Sequence, residues 1–203
     1  MVSLVIETAT AACSVALLHD DAVVAARHEV VGRSHAERLV PMIAEVLAEG
    51  GVTQATSVLV DCGPGSFTGI RVGLAAARGF GLAWKVPVTG FSSLALLAVG
   101  READTVTTAL TGGHGELFFQ RFARSPLEPL TELASRPPDA AAAATPDDIV
   151  YGSGAEALVA ARGWGIADPA YPCAADVRYL PEALRQLPPT PIYGRAPDAK
   201  VPA

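Results

Sequence analysis

Residues 57–84 constrain the fold more than any other stretch. Ser57 to Cys62 is a short apolar run, Gly63-Pro64-Gly65-Ser66-Phe67-Thr68-Gly69 is a glycine-rich turn, and a helical pattern follows to about Trp84. Along that helix Gly69, Gly73, Ala77 and Gly81 recur at every fourth residue. An interior helical glycine costs about 1 kcal/mol against alanine, so a stripe of small residues implies that a sheet or another helix approaches this backbone closely. Packing inside the chain satisfies the pattern, and so does a self-complementary helix pair across an interface.

The flanking sequence supplies strands for such a helix to cover. Val2 to Ile6 is continuously apolar, as in a strand buried on both faces. Thr8, Thr10 and the small residues between them form a turn, Cys13 to Leu18 resumes as a strand, and Ala22 to Val31 follows the His19-Asp20-Asp21 turn. A helix then begins with Ser34 as N-cap and Glu37 as its capping-box partner, and closes at Gly50-Gly51. Its apolar residues Leu39, Val40, Met42, Ile43, Val46 and Leu47 span about 160°, against the roughly 100° that one core requires. Wedging between two layers accounts for the excess; so does a flank that meets a partner.

Val86 to Thr89 is a short strand, and Ser92 or Ser93 caps a helix reaching about Val99. Asp104 to Leu110 and Leu117 to Arg121 form a strand pair that opens a second lobe. The reading is therefore two lobes, residues 1–100 and 101–203, consistent with a length near 1.4 typical domains. Between Pro126 and Pro146 the sequence is rich in Pro, Ala and Ser and reads as weakly structured surface. Ile149 to Tyr151 resumes a strand, Gly152-Ser153-Gly154 turns into a short helix, and a further helix is expected from Asp176 to Leu187. From Pro188 onward, with Pro189, Pro191, Pro197 and Pro202, the chain reads as extended and partly mobile.

Charge sums to 15 − 21 = −6, with only 18% charged residues, which excludes a basic nucleic-acid binder acting alone. Half of the residues are hydrophobic, which excludes a disordered chain. Cys13, Cys62 and Cys173 are odd in number, widely spaced and without a CxxC pair, so they read as reduced thiols. The first residues lack a positive n-region, Glu7 interrupts their apolar run, and no uninterrupted apolar stretch reaches about 18 residues. A soluble cytoplasmic protein without membrane contact is expected.

The glycine-rich turn matches no phosphate-binding fingerprint. Its third glycine falls one residue late for G-x-G-x-x-G, and Ile70-Arg71 replaces the Lys-Ser/Thr of a Walker loop. Ser66 is not in a G-x-S-x-G elbow, since Pro64 takes the first glycine position. His19, His28, His35 and His114 show no metal-binding spacing, and His114 lies in the Gly112-Gly113-His114-Gly115 loop. Asp20-Asp21 and Asp147-Asp148 read as solvated turn acids. No catalytic set and no metal set emerges.

Two segments carry a resemblance. Ile6-Glu7-Thr8-Ala9-Thr10 with Cys13-Ser14-Val15-Ala16-Leu17 resembles the opening hairpin of the actin/sugar-kinase/Hsp70-like fold, whose first turn faces a phosphate. Cys62 to Gly79, with Gly63-Pro64-Gly65-Ser66-Phe67-Thr68-Gly69-Ile70-Arg71 at its start, and Pro87 to Leu94 look like the TsaB family of tRNA threonylcarbamoyladenosine biosynthesis. The resemblance implies an α/β protein of two actin-like (ribonuclease H-like) lobes, each a mixed sheet flanked by helices. It implies a non-catalytic dimerisation subunit. Such a subunit pairs with a TsaD-like paralogue that transfers the threonylcarbamoyl group to the tRNA adenosine beside the anticodon. A TsaE-like ATPase joins the pair, a homodimer forms when the paralogue is absent, and tRNA is reached only through the complex.

The isolated subunit is expected to hold no cofactor, with ATP or ADP entering only in the complex. Thr8, Thr10, Gly63, Gly65, Ser66 and Thr68 become a vestigial phosphate-loop-like set. Ser93 and Leu97 stand where the paralogue places two metal-binding histidines, so no metal is expected. The partner interface is assigned to Leu39, Met42 and Val46 on the first helix and Gly69, Gly73 and Ala77 on the second. Two departures from the pattern are Glu7, where such folds usually keep Asp, and the Thr111–Phe118 loop, which lacks the family's arginines. The competing reading is a stand-alone enzyme of this fold, a small-molecule kinase or glycoprotease-like hydrolase. It requires a catalytic Asp near the first hairpin or a metal pair.

Overall fold

The apolar run that opens the chain becomes β1 (Val2–Glu7), the central strand of a five-stranded sheet. The computed structural model describes residues 1–194. β1 pairs antiparallel with β2 (Ala12–His19), and β2 with the outer strand β3 (Ala22–Val30). On its other side β1 runs parallel to β4 (Ser57–Asp61), which is parallel to β5 (Val88–Phe91).

Alternation along β1 sends its side chains to two different cores. Leu4 and Ile6 meet α1 (His35–Glu49) and α2 (Phe67–Trp84) through Met42, Ile43, Val46, Ile70 and Leu74. Val5 faces the other way, toward Phe91 and the short α3 (Ser93–Ala98). Burying each such Leu, Ile or Phe contributes about 1.5–3 kcal/mol, which makes these faces the main support of the lobe. The capping box expected at Ser34 does not form: Ser34 makes no side-chain cap, and the next residue, His35, turns inward with Nε2 donating to the Ala12 carbonyl at 3.0 Å.

The second sheet has the order β11-β10-β6-β7-β8, built from β6 (Thr105–Thr111), β7 (Leu117–Arg124), β8 (Leu127–Pro129), β10 (Ile149–Tyr151) and β11 (Ile166–Asp168). β9 (Ala134–Arg136) pairs with β7. The stretch expected to be weakly structured therefore carries two strands and α4 (Pro138–Ala143). Pro138 suits a first helical turn, and the alanines are small enough to bury Ala141 against Leu158 of α5 (Ala155–Arg162). Asp147 is no solvated turn acid either, since it receives Arg121 (2.8 and 3.0 Å) and the Thr105 hydroxyl (2.5 Å).

The helix expected over 176–187 is broken into a 3₁₀ turn at Ala174–Tyr179 and α6 (Glu182–Arg185), because Pro181 between them has no N–H to continue a helix. The chain then crosses back to the first sheet. Leu187 bridges Gly90, the Arg78 guanidinium donates to the Pro189 carbonyl at 2.7 Å, and the Ile192 N–H donates to the Cys62 carbonyl at 2.7 Å. The segment to Gly194 is tied down in this way; Pro197 and Pro202 lie outside the described residues. The α/β expectation of two mixed sheets flanked by helices holds. Among the described residues no helix is long and apolar enough to cross a membrane.

Candidate functional site

Two acids end adjacent parallel strands beneath the space between the sheets. Glu7 closes β1 and Asp61 closes β4, and both are completely buried. Glu7 Oε1 accepts the Ala9 N–H at 2.8 Å; Asp61 Oδ1 accepts the Gly63 N–H at 2.5 Å and the Ser93 hydroxyl at 2.8 Å. Each acid therefore anchors one loop, through a backbone N–H two residues further on. The remaining oxygens, Glu7 Oε2 and Asp61 Oδ2, have no hydrogen-bond partner among the described residues.

Burial raises both acids, and the neighbouring carboxylate raises Glu7 further. Asp61 is pushed up to about 7, held back by the N–H of Gly63, the Ser93 hydroxyl and Glu7 itself. Both carboxyls are therefore held toward their protonated forms. The sequence reading noted Glu7 only as a departure and passed over Asp61; an acid at the end of each of two apolar parallel strands was the available signal.

The loops these acids anchor close on one another. The Thr8 hydroxyl donates to the Gly69 carbonyl at 2.8 Å, and the Ser66 N–H donates to the Ala9 carbonyl at 2.6 Å. A Cβ at Gly65 would overlap the Ala9 carbonyl, and one at Gly69 the Thr8 carbonyl, so only glycine permits this contact. Ser66 caps α2 by accepting the Gly69 N–H at 3.2 Å, and Thr10 accepts the Ala12 N–H at 3.2 Å. Of the phosphate-loop-like set, Thr10, Gly65 and Ser66 line the space between the sheets. Thr8 and Gly63 are buried below it, and Thr68, though exposed, does not line it. The set is thus split, and the groups that would cradle a phosphate chain are largely occupied by one another.

What remains open is a cleft of about 950 Å³ walled by Arg33, Arg71, His114, Phe118, Tyr171 and Tyr193 together with the two loops. Among the described residues no Asp or Glu lines it. The Arg71 guanidinium lies 3.5 Å over the Phe67 ring and 5.8 Å from the Tyr193 ring centre, and its Nε donates to the Tyr193 hydroxyl at 3.1 Å.

The residues assigned to a partner interface lie elsewhere. Leu39, Met42 and Val46 are buried against the chain's own sheet. The small-residue stripe faces the same way: a Cβ at Gly73 would overlap the Thr8 hydroxyl and touch Ile6 and Val60, and one at Gly81 would overlap Val88. Gly69 and Ala77 are likewise buried. The stripe therefore lets α2 lie close on β1, β4 and β5, and the interface assignment to these six residues is corrected. The outward faces carry Val40 and Ala44 on α1 and Ala75, Gly79, Leu82 and Ala83 on α2, all exposed.

Ser93 is wholly buried, with its hydroxyl on Asp61 and the Pro64 carbonyl (3.0 Å), and Leu97 sits in the second core. No group of three or more His, Cys, Asp or Glu among the described residues is placed to hold a metal ion. Burial pushes the Cys13 and Cys62 thiols up to about 12, which leaves neither as a nucleophile near neutral pH.

Comparison with known proteins places this geometry in a family. A family model described as TsaD, tRNA N6-adenosine threonylcarbamoyltransferase, matches residues 23–154. An uncharacterised protein of Mycobacterium leprae (strain TN) is 32% identical over 97% of the chain and 55% of its own length. The tRNA threonylcarbamoyladenosine biosynthesis protein TsaB of Escherichia coli (strain K12) is 37% identical over 60% of the chain and 54% of its own length. The chain thus spans about half the length of these two relatives. A Pseudomonas aeruginosa crystal structure of an uncharacterised protein with similarity to peptidase YeaZ superposes with a TM-score of 0.80 at 28% identity, covering 96% of the chain and 99% of that structure.

Proposed function

The chain belongs to the TsaB family, within the glycoprotease-like superfamily that the matching TsaD model represents, and from that membership we propose that it serves tRNA threonylcarbamoyladenosine biosynthesis as a non-catalytic dimerisation subunit. Its partners in this reading are a TsaD-like paralogue and a TsaE-like ATPase; it pairs with itself when the paralogue is absent and meets tRNA only inside the complex. It works in the cytoplasm and carries no cofactor of its own, ATP or ADP entering with the assembled complex.

The observation that carries the reading is the fate of the positions where the paralogue holds its metal. Ser93 directs its hydroxyl to a buried carboxylate and Leu97 fills a core, so neither reaches the cleft. Glu7 and Asp61, which end β1 and β4 beneath the cleft, are fully buried and anchor loops, so neither is presented there as a general base.

The pairing surface in this reading is the outward side of α1 and α2. Exposed Val40, Ala44, Ala75, Gly79 and Leu82 there offer a low-relief apolar face that a related helix pair can approach closely. The test is to mix the purified chain with its TsaD-like paralogue and follow threonylcarbamoyl transfer. Transfer is expected only from the mixture, with no metal copurifying with this chain alone. Turnover by this chain alone, or one tightly held metal per chain, overturns the reading.

A further inference from the structure

We infer that the cleft between the sheets is a binding site for a small planar ligand bearing a single anionic group, a carboxylate or a phosphomonoester, which Arg71 receives on its outer guanidinium edge. This goes beyond the scaffold role and does not depend on it.

The first observation is how Arg71 is held. Its guanidinium plane is stacked on Phe67 and its Nε is tied to the Tyr193 hydroxyl, while its terminal nitrogens have no partner among the described residues. A planar fork fixed by stacking, with its outer N–H groups unused, suits bidentate recognition of a carboxylate or phosphate. Among the described residues neither Arg71 nor Arg33 has a carboxylate partner, a state they share with Arg78, Arg124, Arg136, Arg162 and Arg178; of these seven, Arg71 and Arg33 line the cleft.

The second observation is the cleft's charge. In a chain of net charge −6, this cleft is walled, among the described residues, by two arginines and no acid, so its local field opposes that of the molecule. The third is its surface. Phe118, Tyr171 and Tyr193 present rings, and the volume falls within the range of small-molecule sites. The closed loops then set the size of the anion. The Thr8 hydroxyl and the Ser66 N–H are bonded within the loop pair, so a di- or triphosphate finds no cradle there, and one anionic group at the mouth is what the cleft accommodates.

The experiment is an NMR titration of the ¹⁵N-labelled chain with AMP, indole-3-acetate, adenosine, inorganic phosphate and ATP, each to about 5 mM. AMP and indole-3-acetate are expected to shift the amides of Phe67, Arg71 and Thr111 and to compete. Adenosine and phosphate should bind at least about tenfold more weakly, and ATP no more tightly than AMP. Binding by only one of the two ring anions supports the site and identifies its anion. Arg71→Gln should weaken binding about tenfold with an unchanged melting temperature, since Arg71 is exposed, and Arg71→Lys should rescue it only in part. No shift with either ring anion, unchanged affinity in Arg71→Gln, or ATP binding tenfold more tightly than AMP overturns the proposal.

Discussion

Helix α2 carries two stripes of small residues that serve opposite purposes. On the inner side Gly69, Gly73, Ala77 and Gly81 are buried, and added side chains there would strike Thr8 and Val88. On the outer side Ala75, Gly79 and Ala83, again four residues apart, are exposed, and a Cβ on Gly79 meets nothing within 4 Å. Sequence spacing cannot tell the two apart, because both repeat every fourth residue. Only the position of the sheet does. A small residue is a packing requirement on one side of this helix and an opening on the other.

The sharpest way to break the comparison is to fill the inner stripe. Gly73→Leu places a branched side chain where Ile6, Val60 and the Thr8 hydroxyl already stand, with no neighbouring space to take it. Overpacking of this kind commonly costs about 1–3 kcal/mol, and contact with a loop already pinned to Gly69 puts this case at or above the upper end. The expected result is an insoluble chain or one that melts far below the parent in circular dichroism. A variant that folds normally and only fails to pair would return the inner stripe to the interface.

A second, smaller effect tests what holds the loop against that stripe. Glu7 accepts the Ala9 N–H and stands beside Asp61, whose carboxylate raises it further. In the unfolded chain both acids titrate near pH 4, and in the folded one both are raised, Asp61 to about 7. Between these values the folded state holds protons that the unfolded state has lost, so stability is complete at low pH and falls as pH rises through about 7. Glu7→Gln supplies a permanent donor to Asp61 and keeps an acceptor for Ala9. It should match the parent near pH 4 and exceed it by about 1–3 kcal/mol near pH 8. Parallel melting curves across that range would show that the pair is not raised in the folded chain.

The sequence of elements along the chain, the two mixed sheets and the strand–turn–helix core were legible because hydrophobic runs and glycine punctuation are local signals. Ser57 to Trp84 read correctly for that reason. What sequence left hidden depended on neighbours distant in the chain. The alanines at 140–144 looked like surface until Leu158 of α5 came to cover Ala141. Asp61 looked like the end of a strand until Glu7 stood beside it. The hydrogen bond that fixes Arg71 needs Tyr193, 122 residues away, delivered by a tail that the sequence presented as loose. Leu39 and Met42 were read as surplus apolar residues because the arc measured their spread and not the depth of the sheet they meet; of that arc, Val40 alone is exposed.

The outer stripe yields the smallest change in stability and the finest discrimination. Gly79 sits in the middle of α2 with open space around its Cα, so a side chain there removes backbone entropy from the unfolded chain without meeting the core. Gly79→Ala and Gly79→Leu should both fold and gain roughly 0.5–1 kcal/mol, visible as a rise of a few degrees in melting temperature. They should part company in association. Alanine adds one methyl to a low-relief face and should leave pairing with the paralogue, or with a second copy, within about threefold of the parent, a difference under 1 kcal/mol. Leucine projects beyond Ala75 and Ala83 and holds the approaching helix away, which should remove the complex peak in size-exclusion chromatography with light scattering. Equal pairing by both variants would place the partner somewhere other than α2 while leaving the account of its inner face untouched, since stability and association are read in separate measurements on a chain that is folded in each.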